Sequence, residues 1–186
     1  MKVIETKLPG VVVLEPDVFG DKRGFFLETW NQKRYEEVGI RETFVQDNVS
    51  LSRQGIVRGL HFQNPQSQGK LVQVLSGEVL DVVVDIRVGS PTFGQWIGER
   101  LSGENHKQIY VPPGFAHGFC VVSDEVLFSY KCTDFYNPDT EHGIIWNDPD
   151  IGINWPVQEP LLSTKDASYS RLKDLPPETL PHFEER

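Results

Sequence analysis

The feature that most limits what this chain can become is its punctuation. Short runs rich in β-branched and aromatic residues recur at 11–16, 24–30, 44–52, 71–77, 78–87, 95–102, 107–113, 118–123 and 125–136. Gly, Pro, Ser or Asp interrupts the chain between them. Many short strands closed by turn residues suit an all-β sandwich, jelly roll or barrel. The stretch 71–87 shows the logic. Ser76-Gly77 predicts a hairpin turn. Beyond it Leu80, Val82, Val84 and Ile86 fall on one face of a strand, and Asp81, Asp85 and Arg87, interleaved with Val79 and Val83, fall on the other. The first face asks for a core, the second for solvent or a polar cavity. One segment reads as helix: Asn31 as N-cap, Glu36 and Glu37 within, Tyr35 and Val38 on one face, Gly39 as the stop. There is no internal repeat or linker, so residues 1–186 are expected to form a single domain, with a loosely ordered polar tail at 176–186.

Charge and composition exclude several functions. The net charge of −9 argues against nucleic acid as a partner, so any phosphate site must be a local basic cluster. No apolar run approaches the roughly 20 residues that a membrane helix needs, and no secretory signal is visible at the N-terminus. Cys120 and Cys132 lie in strand-like runs and form no CxxC pair, which suits a reducing, cytoplasmic location.

Chemistry concentrates at two histidines. In residues 57–63, alternation places Gly59, His61 and Gln63 on one face. Lys70 follows after the turn-rich residues 64–69, so the next strand can return it beside His61. Histidine exchanges protons near neutral pH, and an ammonium can stabilise the oxyanion formed when a carbon acid loses its proton. Standing alone, such a His and Lys are more often structural or surface residues. A second segment, 112–119 (PPGFAHGF), brings His117 to a strand entry after a Pro-Gly turn. Together the two segments resemble the paired motifs of the cupin superfamily. Metal-binding cupins carry HxH in the first motif. Here the position two after His61 is Gln63, so a strong three-nitrogen metal site is missing and a metal-free cupin is expected.

Seven segments in order then resemble the dTDP-4-dehydrorhamnose 3,5-epimerase family: 21–28 (DKRGFFLE), 44–50 (FVQDNVS), 57–63 (VRGLHFQ), 69–72 (GKLV), 112–119, 130–136 (YKCTDFY) and 162–166 (LSTKD). The resemblance implies a cupin-type double-stranded β-helix, or jelly roll, with a few short helices. It also implies a homodimer that uses no metal or organic cofactor, acting on a dTDP-sugar. It assigns His61 as the base at sugar carbons 3 and 5, Asp166 as the group that orients it, Lys70 as the stabiliser of the enolate oxygen and Tyr130 as the acid on the opposite face. The chemistry agrees, because inverting a stereocentre by proton transfer needs removal on one face and delivery on the other. Arg23 and Arg58 would hold the diphosphate, with Lys165 adding charge. Glu28, Gln46, Asp47 and Asn48 would contact the base and nearby groups, and Phe26 and Tyr136 would stack on thymine. His117 would lie near the sugar. Glu141 fits either a ligand contact or a surface salt bridge. Alternation alone suggests that Asp81 pairs with Lys70. His106 and His142 have no pattern behind them and read as structural or surface residues.

Two other readings remain. One is a single-site epimerase, acting at C3 or C5 of another dTDP-4-keto-6-deoxysugar. The other is a catalytically silent cupin that only binds a sugar nucleotide. The silent cupin predicts the loss of a proton-handling residue, whereas His61, Lys70, Tyr130 and Asp166 are all present.

Overall fold

The computed structural model describes residues 1–184. Its first sheet is built from β1 (Lys2–Glu5), β2 (Val12–Glu15), β5 (Gln46–Arg53), β7 (Lys70–Ser76), β10 (Gln108–Val111) and β12 (Glu125–Cys132), in the order β1-β2-β10-β7-β12-β5. The second contains β6 (Val57–Gln63), β8 (Glu78–Asp85), β9 (Trp96–Ser102), β11 (Phe115–Val121) and β13 (Glu141–Gly143), ordered β13-β6-β11-β8-β9. A separate hairpin joins β3 (Val18–Asp21) to β4 (Gly24–Leu27). The named strand pairs are all antiparallel. This is the expected all-β jelly-roll architecture.

The two sheets face each other across a core. Val72, Val74, Ile109 and Phe128 come from one side, and Val79, Val83, Phe115 and Phe119 from the other. The predicted hairpin at Ser76-Gly77 is not one. β7 and β8 belong to different sheets, so Gly77 turns a corner from one layer to the other. Alternation predicts faces along a strand but not which neighbour the strand chooses. Gly77 has φ +81°, and a Cβ there would lie 2.1 Å from the Glu125 carbonyl oxygen. Gly77→Ala should therefore destabilise the fold by more than the ~1–2 kcal/mol of left-handed backbone strain alone. Thermal unfolding would check this, and an unchanged Tm would contradict the corner's tightness.

Strand β8 is buried on both faces. Val79 and Val83 enter the inter-sheet core, while Val82, Val84 and Ile86 enter a second cluster with Leu60, Ile144, Leu172 and Leu180. Residues from Ile144 onward, through Ile151, Leu172 and Leu180, thus cover the outside of the five-stranded sheet. The second face of β8, expected to meet solvent or a polar cavity, is instead sealed. Its Asp85 is satisfied by Arg87, Ser90 and Thr92. The tail also departs from expectation over residues 176–184. Leu180 is buried, Val88 N–H donates to the Pro181 carbonyl, and Phe183 N–H donates to the Val88 carbonyl. The Arg87 guanidinium lies over Phe115 and Phe183, 4.1 and 5.0 Å from their ring centres. Residues 185 and 186 lie outside the described residues.

Helix α1 (Gln32–Glu37) forms where its caps predict. Asn31 accepts from Arg34 N–H, and Gly39 follows in the left-handed region. Buried Tyr35 packs with Leu14, Leu71 and Tyr110 of the six-stranded sheet, and its hydroxyl donates to Gln108 Oε1 at 2.6 Å.

Candidate active site

The register places the chemistry on the two facing sheets. In the five-stranded sheet His61 pairs with His117, but Phe119 pairs with Arg58, so β6 spends one extra residue there. His117 and Phe119 share a face, so Arg58 and His61 share it too. Plain alternation had instead grouped Gly59 with His61 and Gln63. Gly59 is required at the irregularity, since a Cβ would lie 2.6 Å from the Gly118 Cα. Beyond it alternation resumes, and Gln63 with its partner Glu141 stays on the His61 face.

The six-stranded sheet answers from across the gap. Tyr130 pairs with Asn48 and Val72, and Cys132 pairs with Gln46 and Lys70. All five polar or thiol side chains of this set line a cavity of about 300 Å³. From the other sheet the cavity takes His61, Gln63 and Glu141, and its rim is closed by Gln68 and Tyr136.

His61 is held from behind. Helix α2 (Thr164–Ala167) starts at Ser163, whose Oγ accepts from the Asp166 N–H at 3.0 Å. That cap points the buried Asp166 carboxylate at His61 Nε2, 2.5 Å away. Burial pushes the Asp166 pKa up. The bond and charge of His61, the Ser163 cap and the Gly59 N–H outweigh this and hold it below the usual carboxylate range. An ionised carboxylate only accepts, so His61 Nε2 carries the hydrogen and Nδ1 carries the free lone pair.

Burial raises the Tyr130 phenol, which keeps it protonated and able to donate; the Arg58 guanidinium acts in the opposite sense. Burial pushes the Lys70 ammonium down, against the pull of Cys132, Glu141 and Asp81. Lys70 forms no direct salt bridge among the described residues, so its charge faces the cavity. At the rim Tyr136 donates to Glu141 Oε2 at 2.7 Å, and Lys165 closes a short ion pair onto the same oxygen. Glu141 is therefore both a cavity wall and a salt-bridge partner. Tyr136 N–H donates to Gln46 Oε1, and Gln46 Nε2 donates to Asn48 Oδ1. Gln63, at the position where a metal cupin carries histidine, is committed to the loop. It donates to the Gln66 and Phe135 carbonyls and accepts from Asn137 N–H. No group of three His, Cys, Asp or Glu side chains among the described residues is placed to hold a metal.

Other expected residues lie elsewhere. His117 is not among the lining residues. It is buried with Nε2 at 2.9 and 3.0 Å from the two Asp81 oxygens. Asp81 accordingly pairs with His117, and Lys70 acts on it only through charge. Asp47 points to the outer face of β5 and binds Lys131, because its alternation is opposite to that of Gln46 and Asn48. Arg58 is exposed on the His61 face and donates through Nε to Ser52 Oγ. Arg23 and Phe26 sit on the protruding hairpin: Arg23 binds Asp21, and Phe26 is 70% exposed beside exposed Phe19 and Phe25. Glu28 binds Arg34. None of these three reaches the cavity of its own chain. His106 packs at a tilt against exposed Phe25, and His142 packs against Phe62. Sequence reasoning missed Cys132, which alternation from Tyr130 would have found, and Gln68, which carries no signal.

Comparison with known proteins identifies the family. Residues 5–174 match the family model described as dTDP-4-dehydrorhamnose 3,5-epimerase. The chain is 56% identical over 176 residues to the dTDP-4-dehydrorhamnose 3,5-epimerase of Shigella flexneri, covering 94% of this chain and 97% of the relative. A dTDP-4-dehydrorhamnose 3-epimerase of Streptomyces niveus is 42% identical over 168 residues, covering 89% of this chain and 81% of the relative. The crystal structure of the dTDP-6-deoxy-D-glucose-3,5-epimerase of Legionella pneumophila, in complex with dTDP-4-keto-L-rhamnose, superposes with a TM-score of 0.97 at 52% identity, over 99% of both chains. With its cupin-type sheets and its facing His61 and Tyr130, the chain belongs to the dTDP-4-dehydrorhamnose 3,5-epimerase family.

Proposed function

We propose that the protein inverts C3 and C5 of dTDP-4-dehydro-6-deoxy-D-glucose to give dTDP-4-dehydro-L-rhamnose, in dTDP-L-rhamnose biosynthesis. The observation that carries this reading is the opposition of a His61–Asp166 dyad on one sheet to Tyr130 and Lys70 on the other, across one cavity. His61 Nδ1 takes the proton from a carbon next to the C4 ketone. The C–H electrons move into the new C=C bond and onto the C4 oxygen, where Lys70 meets the negative charge. Tyr130 returns a proton to the other face of the same carbon. The resulting imidazolium and phenolate exchange protons with water before the next cycle. Both carbons flank one ketone, so a turn of the sugar presents each to the same pair. Proton transfer between side chains is sufficient, and the scheme contains no cofactor.

The nucleotide end draws on two chains in this reading. Arg58, Tyr136 and Lys165 lie at or beside the cavity of their own chain. Arg23, Phe26 and Glu28 do not, and a hairpin exposing Phe19, Phe25 and Phe26 is poorly suited to water. Exposed Val49 and Leu51 on the edge strand β5 add a second uncovered apolar surface. We assign both to a homodimer in which the hairpin of one protomer reaches the cavity of its partner. Buried, unpaired Cys120 and Cys132 fit a cytoplasmic enzyme.

The test is product stereochemistry. NMR of the purified protein with dTDP-4-dehydro-6-deoxy-D-glucose should show inversion at both carbons. Inversion at only one would make it a single-site epimerase, and no change would remove the enzyme reading. Arg58→Ala and Arg23→Ala should each raise KM by about 10–100-fold with kcat nearly kept, the size of a lost charge-assisted hydrogen bond of about 1.5–3 kcal/mol. A fall in kcat at constant KM would contradict a binding role.

A further inference from the structure

His61 is braced from a second direction, by a residue outside the proton-transfer set. Gly143 is the register partner of His61 across the β13–β6 pair. A Cβ on Gly143 would lie 2.3–2.6 Å from three atoms of the Tyr169 ring, so the ring rests in the slot that the missing side chain leaves. From that slot Tyr169 meets His61 edge-on, with ring centres 5.9 Å apart and planes at 69°. The segment is tied down on both sides. Helix α2, with Asp166, ends two residues before Tyr169, and the Ser170 carbonyl accepts from Ile145 N–H just beyond β13. The Tyr169 hydroxyl is buried without a partner in good hydrogen-bond geometry, although the nearby Lys165 ammonium acts on it. Burial pushes its pKa up to about 12, so it presents a neutral wall. Tyr169 does not line the cavity.

The bond from Asp166 fixes His61 at one atom, Nε2. A single contact there leaves the imidazole able to tilt about its Cβ–Cγ bond, which would swing Nδ1 away from the carbon that it must reach. A ring held against the imidazole edge removes that freedom. We propose that Tyr169, seated on Gly143, is a positioning residue that fixes the plane of the His61 imidazole so that Nδ1 alone addresses the substrate. The proposal rests on the reading of His61 as the base. It requires the ring of Tyr169, not its hydroxyl, and it requires glycine at 143.

The test compares three proteins. Tyr169→Phe keeps the ring and should hold kcat within threefold of the parent. Tyr169→Leu removes the ring edge and should lower kcat by about 10–100-fold with KM changed less than threefold, the cost of a small misplacement of a reacting group. Equal losses in the Phe and Leu variants, a full-activity Leu variant, or a loss carried by KM would each overturn the proposal. A second measurement needs neither substrate nor a folded Leu variant. Nitrogen-15 NMR of the parent protein should show His61 as one Nε2–H tautomer with sharp ring resonances. Exchange-averaged shifts in the parent would overturn the proposal. A parent with an ordered His61 that does not turn over the sugar nucleotide would instead reject the epimerase reading and leave the positioning result standing.

Discussion

His61→Ala is expected to lower kcat for the double epimerisation by on the order of 10³–10⁴-fold, the upper part of the range for loss of a general base. Both inversions should fall together, because one imidazole serves C3 and C5. Among the described residues that line the cavity, Glu141 is the carboxylic side chain to consider, and it is already committed to Tyr136 and Lys165. Cys132 cannot take over either, since burial raises its thiol and keeps it protonated, against the lowering pull of Lys70. The fold should survive, because His61 is partly exposed at the cavity and its truncation removes no core contact of the size of Leu60 or Phe62. Activity assayed through product formation, with thermal unfolding as the control, separates these outcomes. A variant that keeps a tenth of the parent kcat would mean that another group abstracts the proton.

Lys70→Met should separate activity from stability. Among the described residues the ammonium is the one lysine or arginine charge lining the cavity, and removing it takes away the partner for the developing enolate. A loss of about 10²–10³-fold in kcat is expected, comparable to removing one preorganised oxyanion donor. Stability should hold or rise, because a lysine whose pKa is pushed down by burial is one whose charge is costly where it sits. Methionine fills similar volume without that cost. A variant that loses activity only in proportion to lost stability would show that Lys70 is structural. The same comparison probes Asp81 and Glu141, whose carboxylates both act on Lys70 through charge.

Much of this was legible from residue order. Alternation alone put His61 with Gln63, residue chemistry supplied a base and a cation, and the family resemblance added the phenol of Tyr130 and the amides of Gln46 and Asn48. The cap at Asn31 was readable because a side chain of defined reach satisfies a backbone N–H. What was not legible has physical causes. The Ser76-Gly77 break looked like a hairpin because a turn residue signals a change of direction but not a change of sheet. The extra residue in β6 moved Arg58 onto the His61 face, and only pairing with β11 reveals it. Helix α2 is four residues long, too short for periodicity, so only the family resemblance, and no local pattern, pointed to Asp166. Gly143 and Tyr169 are 26 residues apart in sequence and carry no shared pattern. Arg23, Phe26 and Glu28 matched their motif, yet their chain does not bring them to its own cavity.

The most direct test of the central claim, one histidine base working beside one ketone, is isotopic. The parent enzyme and His61→Ala would be incubated with dTDP-4-dehydro-6-deoxy-D-glucose in heavy water, and the proton signals at C3 and C5 followed by NMR. The parent should exchange deuterium into both positions, and His61→Ala into neither; exchange that persists at either carbon in His61→Ala would contradict the assignment of His61 as the base.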